Sequence, residues 1–407
     1  MSAKRSVRQV CLPVLCCATF LVTLVLATCG PAAPGAPPAT DTALPAAQSP
    51  AQAESAATPA EPAPSSIYEK VVAGGIDIPG DPTLYPLVAP GPYYAGKRSY
   101  KYEDASRNNR RVWITVWYPA LPPEGSSGSP FQVGREREPD RSGAPYPMLL
   151  SDSKIAAEMA PYLISHGFTW VSLDLIDTWG NEMSTELIDQ PLDLLYALDQ
   201  VTAHPPDGLE GMIDVERVGV TGYSFGGFNT LALSGARVDP VYYKAQCPDP
   251  DATTEAILGS MSAYSCGPAE AWEEYAAHAP QTITASDDGL WQPMTDERIR
   301  AVMPLAGEGW WLFGERGLAA VDRPALIIAG TQDALYPENA VIFEHLGTPD
   351  KGLISFIDLG HMMIFDEEMV ARMGHFAVAF FGHHLQGRED LAQYYSQEFV
   401  AQHDDLA

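Results

Sequence analysis

Short apolar runs built from strand-forming residues recur along the chain, and stretches with helical spacing separate most of them. That alternation constrains the fold more than any other feature. Val112–Tyr118 is rich in β-branched and aromatic residues, and Pro119 is expected to stop it. Pro147–Ser151, Phe168–Leu173, Val218–Thr221, Ala301–Leu305, Ala325–Ala329 and Ile354–Ile357 read as further strands. Helical intervals run over Ala156–Ile164, which His166-Gly167 ends, over Leu187–Val201, through Leu233, and over about Glu367–His384. Continuous apolar strands separated by helices predict an α/β fold, with a mostly parallel sheet covered on both faces. Ligands of such sheets bind at the carboxyl ends of the strands. Residues 237–298 break the alternation and carry many acidic residues with few strand signals, so they read as an insertion capping that end of the sheet.

Composition narrows the function classes. The 407 residues include 24 Lys plus Arg against 52 Asp plus Glu, a net charge of −28. A surface this acidic repels phosphodiester backbones, so a general nucleic-acid binder is excluded. The 46% apolar content suffices for a core, and 10% aromatic with 19% charged residues excludes global disorder.

Lys4, Arg5 and Arg8 are the only charges before residue 41, and the run Val10–Ala27 is apolar apart from Thr19 and Thr23. This is the pattern of a secretory signal. It ends Leu26-Ala27-Thr28-Cys29-Gly30, which resembles the lipobox of bacterial lipoproteins, where the cysteine is lipidated. The expectation is an exported, membrane-anchored lipoprotein of the cell envelope; a plain secreted chain and an uncut anchor are the alternatives. Residues 30–66 hold nine Pro and thirteen Ala, too little to build a core, and read as a spacer. The folded domain is expected over residues 67–407. Its cysteines, Cys247 and Cys266, are expected to form one disulfide in an oxidising compartment, the alternative being two buried thiols. No HExxH or CxxC pattern occurs, and no metal or cofactor is expected.

Gly222-Tyr223-Ser224-Phe225-Gly226 is a G-x-S-x-G sequence between a strand and a helix. The glycines allow a tight turn that pushes the serine up at the strand end, with a helix N-terminus aimed at the reaction centre. A serine hydroxyl needs a base, and the base an orienting acid. In this architecture they follow in the order Ser, acid, His, each after a late strand. Asp333 lies in the turn leaving Ala325–Ala329, and His361 follows Ile354–Ile357 through Asp358-Leu359-Gly360. The expected triad is Ser224, His361 and Asp333. His375, His383 and His384 sit in the terminal helix, where a histidine is more often structural or exposed; His166 before Gly167 resembles an oxyanion-loop His-Gly pair but lies at a helix end; and Asp174 and Asp177 are the runner-up acids. Asp358 and Asp366 read as loop or surface charges. Trp179, Trp310, Trp311 and Phe313 follow strand ends on the active side, where they either line an apolar pocket or pack beneath the cap.

The elbow Gly222–Gly227, the Asp333 turn and Gly360-His361 resemble the α/β-hydrolase superfamily. The segment Arg298–Leu305, then Leu312–Gly314, Gly317-Leu318 and Val116–Ala120, resemble bacterial predicted dienelactone hydrolases related to platelet-activating-factor acetylhydrolases. That resemblance covers roughly residues 90–390, including the cap. It implies a serine esterase acting on short-chain or lipid-like esters; true dienelactone hydrolases use a cysteine where Ser224 stands. Such hydrolases carry a His-Gly pair after the strand ending here at Leu150, whereas this chain has Ser151-Asp152-Ser153-Lys154. The Phe225 N–H supplies one oxyanion donor, and Ser153 or Lys154 the second. Two readings compete: a prolyl-oligopeptidase-type serine peptidase, and a non-catalytic surface binding protein that retains the fold.

Overall fold

The strand-forming runs pair into one sheet in a computed structural model that describes residues 80–125, 129–174, 185–247, 252–258 and 266–407. The chain divides into two units, Met1–Glu61 and Pro62–Ala407, and every described residue belongs to the second. The expected targeting segment with Cys29, the spacer 30–66, Asp177 and Trp179 lie outside the described residues.

In chain order the strands are β1 (Tyr94–Asp104), β2 (Arg110–Ala120), β3 (Gly134–Arg135), β4 (Tyr146–Asp152), β5 (Thr169–Leu173), β6 (Ile213–Tyr223), β7 (Ile299–Leu305), β8 (Ala325–Gly330) and β9 (Lys351–Phe356). They lie in the order β3-β1-β2-β5-β4-β6-β7-β8-β9. From β5 to β9 every neighbouring pair is parallel, whereas β2 joins β5 and β1 antiparallel. The fold is therefore α/β with a mixed, mostly parallel sheet.

Helices α1 (Ser153–Ser165), α2 (Glu186–Ala203) and α3 (Phe225–Leu233) follow β4, β5 and β6. Among the described residues, short helices come next: α4 (Pro240–Gln246), α5 (Ala252–Leu258), α6 (Gly267–Glu270), α7 (Trp272–His278) and α8 (Gln281–Thr284). Then α9 (Trp310–Leu318), α10 (Tyr336–His345) and α11 (Glu367–Gln386) complete the layers. Alternation along each strand sends residues to opposite faces. Met148, Leu150, Val171, Val220, Val302 and Ile327 pack on one face with residues of α2, α3 and α9. Leu149, Trp170, Met303, Ile328 and Ile354 pack on the other with α1 and α11. The outer edge of β9 is covered by the chain's last residues, with Ser355 and Ala407 exchanging two backbone hydrogen bonds of 2.7 and 3.0 Å.

Each expected strand is present, with boundaries that shift, at β2 and β4 most informatively. Pro119 does not stop β2, which continues to Ala120 with Pro119 opposite Ala95 near the strand end, where a missing N–H is tolerated. β4 runs on through Ser151 and Asp152, and α1 starts at once, so no loop separates them. β1 was not legible as a strand. The insertion carries only short helices among its described residues and packs on α2 and α9. Asp239 N–H donates to Leu312 O at 3.1 Å, Tyr243 and Trp311 rings lie 5.8 Å apart, and His278 Nε2 sits 3.0 Å from Asp189 Oδ1. Cys247 and Cys266 form a disulfide, with Cα atoms 5.3 Å apart.

Candidate active site

The site is assembled at the carboxyl ends of β4, β6, β8 and β9. Where β6 turns into α3, Ser224 adopts φ 60° and ψ −117°. Positive φ in a residue with a Cβ costs of order 1–3 kcal/mol and persists only where the surroundings enforce it. Here they do. Ser224 N–H donates to Leu305 O of β7 at 2.9 Å, and Gly227 N–H donates back to Ser224 O at 2.8 Å. A Cβ at Gly222 would collide with the Gly226 carbonyl, and one at Gly227 would stand 2.5 Å from Gly307 Cα, so only glycine permits this crossing.

His361 Nε2 lies 3.0 Å from Ser224 Oγ, and His361 Nδ1 lies 2.8 Å from Asp333 Oδ2. The three residues expected from chain order are thus joined hydroxyl to imidazole to carboxylate. The Asp333 side chain is 1% exposed, and its Oδ1 accepts the Leu335 N–H at 2.9 Å, which leaves Oδ2 directed at the ring. Backbone bonds between the loops after β8 and β9 set that approach. Thr331 N–H donates to Phe356 O at 2.9 Å, Gln332 N–H to Leu359 O at 2.8 Å, and Asp358 N–H to Thr331 Oγ1 at 2.9 Å. Tyr223 adds a tie that sequence reading missed: its hydroxyl donates to His361 O at 2.6 Å. Burial, and then the Asp333 charge, push that phenol above its usual range, so it stays a donor.

Phe225 opens α3, and Ser153 and Lys154 open α1 at the end of the neighbouring strand. Their N–H groups belong to first helical turns, which have no intrahelical acceptors, so both helices present donors beside the Ser224 turn. Asp152 is buried, and its Oδ2 occupies the space a Cβ at Gly226 would need.

The competing residues are engaged elsewhere. Asp174 accepts from Thr115 Oγ1 at 3.0 Å, and burial raises its pKa. His166 Nε2 meets Ala89 O at 3.0 Å, and burial lowers that imidazole to about 4. His375 Nδ1 accepts Leu87 N–H at 3.1 Å; His383 meets Tyr395 and Glu389, and Asp366 caps α11. Asp358 is an exposed loop residue. Trp310, Trp311 and Phe313 are buried. Phe228 of α3 stacks on Phe313 at 5.4 Å and on Trp311 at 6.5 Å, while Trp310 contacts Tyr242 and His345. These aromatics pack against α3 and, through Tyr242 and Tyr243, beneath the insertion.

Sequence reading also missed Glu338 and Asn339, which start α10. Glu338 Oε1 accepts Gly309 N–H at 2.6 Å and Trp310 N–H at 2.8 Å. Asn339 accepts Gly307 N–H at 3.0 Å and donates to Gly307 O at 2.9 Å. Both are almost completely buried.

No protein-family model matches the chain, and no curated protein matches it.

Burial raises the Glu338 carboxyl from 4.5 to about 7, against the lowering effect of the two N–H donors. Between those values the folded chain keeps a proton that the unfolded chain has released, so this group's contribution to stability declines as pH rises through that interval. Glu338→Gln keeps a carbonyl acceptor and removes the titration. Thermal unfolding monitored by circular dichroism should show equal stability of the two chains near pH 4, where both forms of the side chain are neutral. Above pH 7 the variant should gain on wild type by on the order of 3 kcal/mol. A constant difference at all pH values would contradict this.

Proposed function

We propose that the chain is a serine hydrolase of the α/β-hydrolase fold that cleaves carboxylic esters through an acyl-enzyme on Ser224. The unbroken Ser224–His361–Asp333 hydrogen-bond series, 3.0 and 2.8 Å, carries this reading. The strand order and the positive φ of Ser224 agree with a nucleophile elbow. In this mechanism His361 takes the Ser224 proton as Oγ attacks the ester carbonyl. Asp333 holds the imidazole tautomer and stabilises its cation. The Phe225 N–H, with one from Ser153 or Lys154, receives the oxyanion. His361 then protonates the departing alcohol and, as base, activates the water that releases the acid. No observation favours a peptidase or a binder that lacks chemistry over this reading. The departure at Ser151–Lys154, which motivated the binder, leaves a helix N-terminus beside the nucleophile.

Replacing Ser224 by Ala should lower kcat on p-nitrophenyl acetate by roughly 10⁴-fold or more, and should abolish fluorophosphonate labelling. A variant with wild-type turnover contradicts the assignment.

Two exposed apolar side chains beside His361 support the substrate class. Met362 and Phe365, 67% and 72% exposed, follow His361 in a 3₁₀ turn, where residues three apart share a side. Asp358, Asp366, Glu367 and Glu368 surround them in sequence. An apolar lip within an acidic border suits neutral or zwitterionic lipid-like esters and disfavours polyanions. Met362→Ser with Phe365→Ser should reduce kcat/KM for octanoyl esters on the order of tenfold, and leave acetyl esters within about twofold. Equal losses on both chain lengths would refute the lip.

The disulfide agrees with export, and the lipobox-like Cys29 with attachment to a membrane through a lipid. A radiolabelled fatty acid should enter the wild-type chain and fail to enter Cys29→Ala; label in the variant would exclude this anchor.

A further inference from the structure

The loop after β7, residues 306–310, contributes nothing to the hydrogen-bond series at Ser224, yet it is tightly constrained beside it. Ala306 has φ 43° and Gly309 φ 132°, so two of four residues adopt positive φ. Its inner side presses on the elbow: a Cβ at Gly307 would stand 3.3 Å from Gly227 Cα. Its outer side is held by two consecutive side chains of α10. Glu338 takes the N–H groups of Gly309 and Trp310, and Asn339 takes both the N–H and the carbonyl of Gly307. Asn339 also donates to Leu335 O at 2.7 Å, and Leu335 N–H is the group that fixes Asp333 Oδ1. A continuous path therefore runs from Asp333 through Leu335 and Asn339 to Gly307, and from Gly307 to the glycine that follows Ser224's turn.

We infer that Glu338 and Asn339 are a positioning pair that locks the elbow carrying Ser224 in register with the loop carrying Asp333. This rests on the ester-hydrolase reading above. Neither side chain reaches the reacting atoms; each acts through the 306–310 backbone. A site whose members are displaced by a fraction of an ångström to an ångström loses up to about 10² in rate. Turnover should therefore depend on these contacts beyond what folding requires, whereas substrate binding should not.

The test compares Glu338→Ala, Glu338→Gln and Asn339→Ser in the folded domain, at a temperature at least about 15 °C below each variant's measured unfolding midpoint. Under those conditions a purely structural role leaves the rate per folded molecule unchanged. Glu338→Ala and Asn339→Ser are expected to lower kcat for p-nitrophenyl acetate, and the second-order rate of fluorophosphonate labelling, by roughly 10- to 100-fold. KM should stay within about threefold, and labelling should still run to completion. Glu338→Gln, which keeps the carbonyl acceptor for both N–H groups, should restore most of the loss. Wild-type kcat in the folded variants, or a Gln variant as slow as the Ala variant, overturns the inference. If Glu338→Ala fails to fold, Asn339→Ser decides alone, because it removes the Gly307 contacts while keeping a small polar side chain. A wild-type chain that the fluorophosphonate does not label overturns the functional reading and this inference together. A labelled wild type with unaffected variants overturns the inference only.

Discussion

The left-handed backbone of Ser224 is the constraint on which the rest of the site depends. A strand of a parallel sheet must end, expose one side chain and start a helix within a single residue. Three neighbours share the resulting strain. The β7 carbonyl of Leu305 holds the Ser224 N–H, Gly222 lets the Gly226 carbonyl pass, and Gly227 lies on Gly307. A side chain at any of these glycines would force the turn open and move the hydroxyl away from His361. The packed aromatics behind α3, with Phe228 against Phe313 and Trp311, give the helix a rigid seat.

The sheet does the remaining alignment. β6, β7, β8 and β9 are parallel neighbours, so their carboxyl ends lie along one edge at regular spacing. Ser224, the 306–310 loop, Asp333 and His361 each leave one of those ends. Loop-to-loop hydrogen bonds from Thr331 and Gln332 bring Asp333 and His361 together, and the hydroxyl of Tyr223, the residue before Ser224, donates to the His361 carbonyl. Long-range contacts of this kind order a site carried on four loops: each loop is satisfied by its neighbour rather than by solvent.

Much of this was legible in the sequence, for a physical reason. Buried parallel strands are continuous apolar runs, so β4 to β9 stand out, and residues in the turns that leave them inherit a known location. Ser224, Asp333 and His361 needed, besides that, only the G-x-S-x-G pattern and the order serine, acid, histidine. β1 was missed because its exposed side carries Lys97, Ser99 and Lys101, a pattern that resembles a loop until β2 pairs with it. Trp310, Trp311 and Phe313 could not be divided between pocket and core, because the Phe228 stack that buries them comes from residues about eighty positions away. Glu338 was least legible. In a first helical turn an acidic residue reads as an ordinary complement to the helix dipole, and nothing local says that a strained loop will cover it. The signal peptide, lipobox and spacer rest on pattern alone, since they lie outside the described residues.

The proposed mechanism turns on one chemical event, attack by the Ser224 oxygen with charge received by two helix N-termini. The most direct measurement is a crystal structure of the chain after reaction with a neutral alkyl phosphonate p-nitrophenyl ester, which loses p-nitrophenolate as Ser224 Oγ gives up its proton to His361. The account predicts a phosphorus–oxygen bond to Ser224 Oγ, and a phosphonyl oxygen accepting from the Phe225 N–H and from Ser153 or Lys154. His361 should remain bonded to Asp333. A phosphonate attached to another residue, or a phosphonyl oxygen turned away from both helices, would contradict it.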